Sequence, residues 1–287
     1  MIALPSRDAD IAPGFHVRRL LPTRGRRTIG AWCFLDQYGP VTFAMNVTQH
    51  PHIGLQTVTW LFEGSIVHRD SLGSEQRIAP GELNLMTSGS GIAHAELAVD
   101  LPPQRIHGVQ LWVALPDESR NTDPWFAHHA ELPQARFGAA EVTVFMGSLG
   151  NAHSAAKTYT RLLGAEIRFT DDGDCELPLD PVYEHGLMLI DGSASAEGAD
   201  LEANVLYDAG IGRNTIGVRG TRNTRVLLLG GEPLREQLVM WWNFVARTSD
   251  EIEAARAQWE CGEWFGPVKN GGPRVPAPPY AVRVRAR

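Results

Sequence analysis

The chain has 287 residues, 43% of them hydrophobic and 21% charged, enough for one large or two medium domains with a sizeable core. A formal charge of −7 argues against direct nucleic-acid readout and against attachment to an anionic membrane. Cys33, Cys175 and Cys261 are too scattered for a disulfide framework; with no apolar leader in "MIALPSRDADIAPG" and no run able to span a bilayer, we expect a soluble cytoplasmic protein.

Along the chain, short β-branched or aromatic runs are punctuated by glycine and proline. They are "TIGAWCFLDQYGP" (28–40), "QTVTWLFEG" (56–64), "GELNLMTSGSG" (81–91), "GVQLWVALP" (108–116), "EVTVFMGS" (141–148), "HGLMLIDG" (185–192) and "TRVLLLGGEPL" (224–234). Strands of this length and spacing predict an all-β sandwich or barrel. Cys33 is buried by pattern, with no neighbour that would make it a reactive thiol. A faint repeat runs through the strands. "WLFEGSIVHRD" (60–70) is answered by "MLIDGSASAEG" (188–198), and "PGELNLMTSGSGIAHAE" (80–96) by "ANVLYDAGIGRNTIGVR" (203–219). We therefore expect two tandem β-barrels, 1–148 and 149–287, dividing near "GSLGNAHSAAKTY" (147–159). "GIGRNTIG" (210–217) lies in this β context, where a turn is the better reading than a phosphate cradle.

Only "TSDEIEAARAQWECGEW" (248–264) reads as a helix, with Thr or Ser as N-cap, acids in its first turn and apolar residues at helical spacing. The Gly/Pro-rich stretch 266–287 beyond it reads as an extended tail pinned to the surface.

Chemistry concentrates in the first half. Strand side chains alternate faces, so His50 and His52 of "HPH" point the same way, as do His94 and Glu96 of "HAE". Two such pairs meeting inside a barrel offer three imidazoles and a carboxylate, a donor set for a divalent ion such as Fe, Mn, Co, Ni, Cu or Zn. An octahedral ion so held keeps two open positions, whereas a structural zinc site is closed and favours thiolates. Neither pair has a counterpart in the second copy of the repeat.

The other candidates read as structural. His107 fits a strand-end histidine bonded to backbone better than one facing the pocket beside Val109 and Leu111. His68 and Asp70 share a face and are placed at the barrel rim, Met86, Trp60 and Phe62 in the core, and His128 and His129 in a solvated loop.

Taken together, "HPHIGLQTVTWLFEGSIVHRDSLG" (50–73), "PGELNLMTSGSGIAHAE" and "HGVQLWVALP" (107–116) resemble the pirin family of the cupin superfamily. "LPTRGRRTIGAWCFLDQYGP" (21–40) and "LLGGEPLREQLVMWWNFVARTSDEIEAA" (228–255) resemble its flanking blocks, so the likeness covers nearly the whole chain. The resemblance implies a bicupin, two tandem jelly-roll-like cupin barrels with a short C-terminal helix, and a metal in the N-terminal barrel alone. It carries the ligand roles onto His50, His52, His94 and Glu96, with iron the usual ion. Some members are similar to quercetin 2,3-dioxygenases, and others are metal-dependent regulators that bind transcription factors or enzymes. Where the family commonly reads "HPHRGFETVTY", this chain has Ile53, Leu55 and Gln56, which bears on substrate preference.

The leading expectation is thus opening of a flavonol ring by O₂ with release of carbon monoxide, Glu96 serving as ligand and general base. The competing expectations are a metal-bound redox sensor acting on a protein partner, and a zinc-dependent isomerase or hydrolase.

Overall fold

The computed structural model describes residues 1–12, 14–98 and 103–280. Strands dominate, and among the described residues there is one α-helix, Ser249–Cys261. The chain forms two compact units, each assembled from separated segments. One comprises 1–9, 18–37 and 129–234; the other comprises 10–17, 38–128 and 235–287. The expected boundary at 148/149 follows sequence order, whereas 235–287, helix included, groups with 38–128.

The reason is an apolar cluster. Ile252, Ala255 and Trp259 of the helix pack with Val239, Phe244 and Ala246 of a hairpin and with Ala93 and Ala95 of the strand Ile92–Ala98. Thr248 caps the helix: its side chain accepts from the Glu251 N–H, and the Glu251 carboxylate reaches back to the Thr248 N–H. Such a capping box satisfies two otherwise orphaned donors. Gly262 closes the far end in the left-handed conformation. The expected tail is pinned as far as residue 280. Trp259 Nε1 donates to Val275 O (2.8 Å), and the Val275 N–H donates to Gln49 O (2.9 Å). Residues 281–287 of the expected tail lie outside the described residues.

The unit containing 38–128 has a four-stranded antiparallel sheet in the order Asn46–His52, Ile92–Ala98, Ile66–Asp70, Glu75–Ile78. Facing strands belong to a longer sheet in which Leu83–Thr87, Leu55–Glu63 and Arg105–Ala114 are neighbours. The unit containing 129–234 repeats the plan. Its four-stranded sheet runs Gly173–Pro178, Thr215–Gly220, Ala194–Ala196, Ala199–Asp200, and its longer sheet places Val205–Gly210, Glu184–Asp191 and Arg225–Gly231 together. The sequence repeat is therefore realised strand for strand, as two cupin-type barrels.

Alternation then positions the site. In "IAHAELA", Ala93 and Ala95 turn to the helix and hairpin, so His94 and Glu96 turn to the barrel interior. The strand carrying His50 and His52 ends at His52, and two residues on, the chain turns at Gly54, whose φ is +70°. A Cβ there would stand 2.1 Å from Val245 O, so only glycine lets the chain pass this close to the Phe244–Ala246 strand.

Candidate metal centre

His50, His52 and His94 are buried, and each offers one ring nitrogen within 4.8 Å of the others. Register brings them together, because His94 lies directly opposite His50 and Ile92 opposite His52. His50 Nδ1 lies 2.8 Å from Thr48 O, and His52 Nδ1 lies 2.9 Å from Asn243 O. A carbonyl only accepts, so both Nδ1 atoms carry hydrogen and donate, and each Nε2 is left as a bare lone pair. His52 Nε2 and His94 Nε2 are 3.0 Å apart. The edge of the His52 ring meets Trp112 at 5.2 Å between centroids, fixing its plane.

Burial also keeps these rings neutral. It lowers His50 to about 4, and it holds His52 and His94 well below the ordinary histidine value, with neighbouring imidazoles adding to the effect. Three neutral, buried nitrogens aimed at one place, with their other nitrogens tied down, suit a divalent first-row ion. The donor set fits a metal.

Glu96 is buried on the same strand but is not part of that close triad; its Oε1 accepts from Thr59 Oγ1 at 2.9 Å. The pairing with Asn46–His52 shifts register between His94 and Glu96, whereas the pairing with Ile66–Asp70 does not. Burial raises the Glu96 carboxyl above its ordinary value, and His68 and the Thr59 hydrogen bond oppose this only in part. Thr59 Oγ1 also lies 3.2 Å from Gln110 Oε1.

Several side chains differ from their expected settings. His68 and Asp70 are buried rather than at the rim, with 2% exposure each. His68 Nε2 bonds to Asp70 Oδ2 (3.0 Å), and its ring stacks on Phe126 at 4.3 Å. On the strand Arg105–Ala114, the even-numbered Gln110 and Trp112 reach Thr59 and His52, and His107 packs against Phe62 beside a register shift at His107/Gly108. The shift skips Phe62 on the partner strand and leaves alternation along Arg105–Ala114 unbroken, so its even-numbered residues are the ones that reach the site. His128 lies on the strand Trp125–His129 rather than in a loop, bonded to Asn84 Oδ1 at 2.8 Å. Met86, Trp60, Phe62 and Cys33 are buried, as their patterns indicate. Thr59, Phe126 and Asn243 show no donor spacing in the sequence; the fold alone brings them here.

Comparison with known proteins agrees with this geometry. Residues 14–113 match the family model described as Pirin, and residues 164–265 match the Pirin C-terminal cupin domain. A Pseudomonas aeruginosa protein named "Putative quercetin 2,3-dioxygenase PA1205" is 43% identical over 98% of this chain and 91% of its own length. A pirin-like protein of Caulobacter vibrioides is 37% identical over 92% of this chain and 94% of its own. The crystal structure of a quercetin 2,3-dioxygenase from Acinetobacter baumannii superposes with a TM-score of 0.95 at 43% identity, covering 99% of this chain and 97% of that one.

Proposed function

The chain belongs to the pirin family, and from that premise we propose that it is a metal-dependent dioxygenase of the quercetinase type, opening a flavonol ring with O₂ and releasing carbon monoxide. The observation that carries this reading is the 3.0 Å approach of His52 Nε2 to His94 Nε2 beside His50, with the buried Glu96 carboxyl on the same strand as His94. The relatives named for quercetin 2,3-dioxygenase supply the substrate class.

A divalent ion, iron foremost among Fe, Mn, Co, Ni, Cu and Zn, held by His50, His52 and His94 with Glu96 as fourth ligand, would supply Lewis acidity to the flavonol hydroxyl oxygen and exchange electrons with O₂. Glu96 takes the hydroxyl proton at a carboxylate oxygen, and its raised pKa suits it to hold that proton. Thr59 holds the other end of this exchange. Its single hydroxyl hydrogen goes to an ionised Glu96 before the transfer, and turns to Gln110 Oε1 once Glu96 is protonated. Trp112 and Phe126 wall the imidazoles against water. Both atoms of O₂ enter the ring-opened ester, and one ring carbon leaves as carbon monoxide, so the reaction balances without another reductant. The free thiols of Cys33, Cys175 and Cys261 agree with a cytoplasmic setting.

The test is oxygen uptake and carbon monoxide release by iron-reconstituted protein given quercetin, beside Glu96→Gln. We expect stoichiometric uptake and release in the wild type and loss of both in the variant. No uptake by fully loaded wild-type protein would overturn the proposal.

A further inference from the structure

His94 differs from its two partners in how its far nitrogen is held. His50 and His52 donate to backbone carbonyls, whereas His94 Nδ1 faces another imidazole nitrogen, His68 Nδ1, at 3.4 Å. Two imidazole nitrogens can bond only if one carries hydrogen and the other does not, so something must decide which. The next bond outward makes that choice. His68 Nε2 lies 3.0 Å from Asp70 Oδ2, and Asp70 Oδ1 accepts the backbone N–H groups of Leu72 (2.9 Å) and Ser74 (3.0 Å). A carboxylate so engaged accepts on both oxygens, so a neutral His68 donates from Nε2 and its Nδ1 is bare. His94 must then donate from Nδ1, which leaves its Nε2 bare toward His52 Nε2.

From this chain of hydrogen bonds we infer that His68 and Asp70 are positioning residues that lock His94 in its metal-binding tautomer. The inference rests on the metal reading given above and adds two residues to it. Phe126 holds the His68 ring by stacking at 10° between planes, so the relay is fixed sideways as well as end to end. Without the relay, His94 satisfies itself by donating from Nε2 to His52 Nε2, and the site loses two lone pairs to one hydrogen bond.

Asp70→Asn tests this with almost no change of shape. The Leu72 and Ser74 N–H groups keep an oxygen at the Oδ1 position, so the amide nitrogen replaces Oδ2 and donates to His68 Nε2. Every bond in the relay then reverses, and His94 Nε2 carries hydrogen. Co²⁺ affinity, measured by chelator competition, is expected to fall about 10- to 100-fold, the usual cost of removing such an outer partner. The visible Co²⁺ bands are expected to shift, while the metal-free circular dichroism spectrum stays unchanged. His68→Phe keeps the stacking on Phe126 but has no nitrogens, and should lose affinity similarly. His68→Gln, which retains one acceptor and one donor, should recover part of it. Wild-type affinity and bands in both Asp70→Asn and His68→Phe would overturn this inference alone. Failure of the wild-type protein to bind Co²⁺ would overturn the metal reading and the relay with it.

Discussion

The two four-stranded sheets share strand order and, but for the shift between His94 and Glu96, register, yet one gathers imidazoles where the other packs apolar side chains. His94 pairs opposite His50, and Ile92 opposite His52; in the second sheet Val218 pairs opposite Cys175, and Ile216 opposite Leu177. Across the other edge, Glu96 faces His68 and His94 faces Asp70, where Gly220 faces Ala194 and Val218 faces Ala196. The positions of His50, His52, His94, His68 and Asp70 are thus held by Cys175, Leu177, Val218, Ala194 and Ala196, all in one apolar core. One backbone plan serves both, and the side chains alone decide between a donor cluster and a packed interior. The second unit does bury one imidazole, His185, but neither of its nitrogens has a hydrogen-bond partner among the described residues. A buried histidine is not a site until others converge on it with their far nitrogens tied.

The largest effect should follow from writing the second unit's residues into the first. His50→Cys, His52→Leu and His94→Val together are expected to abolish metal binding, read by elemental analysis. The metal-free protein should melt no lower than wild type, because desolvated imidazoles give way to apolar side chains. The reverse change should create no site. Val218→His puts one imidazole among Cys175, Leu177 and Ala196, and calorimetry should show a loss of about 2–5 kcal/mol from polar burial and overpacking, with no second equivalent of metal.

How far the comparison was legible in the sequence can be said residue by residue. The repeat is visible because strand, glycine turn and strand recur in order, and Thr248 with Glu251 announces the helix start. "HPH" and "HAE" mark the imidazoles because alternation puts each pair on one face. His68 and Asp70 look like a rim pair, since "VHRD" says nothing about which strand covers it; register with Ile92–Ala98 and the Phe126 ring bury it. The helix's place with the histidine-bearing unit depends on Ala93 and Ala95, too small to signal a contact on their own. Counting by twos puts Gln110 and Trp112 on the face opposite His107, and only their contacts with Thr59 and His52 show which of the two faces meets the site.

A smaller effect separates the units by pH. Burial lowers His185 to about 4, against 6.5 for an ordinary histidine, so on acidification the unfolded chain takes up this proton first. Its contribution to stability is complete above about pH 6.5, declines as pH falls through the window to about 4, and levels off below, a total of about 3 kcal/mol. Urea titrations at pH 7 and 4.5 should show His185→Leu losing less stability between them than wild type. Equal losses would remove His185 from the account. The smallest effect is at the helix. Thr248→Ala should cost about 1 kcal/mol through loss of the cap, measured by thermal unfolding.

The central claim is that convergence of His50, His52 and His94, and not burial of histidine or the barrel itself, makes the metal site. Equilibrium dialysis of the metal-free protein against Fe²⁺ tests it most directly, with His94→Ala alongside. The account predicts one ion per wild-type chain and none in the variant. Two ions per wild-type chain, or one retained after His94→Ala, would contradict it.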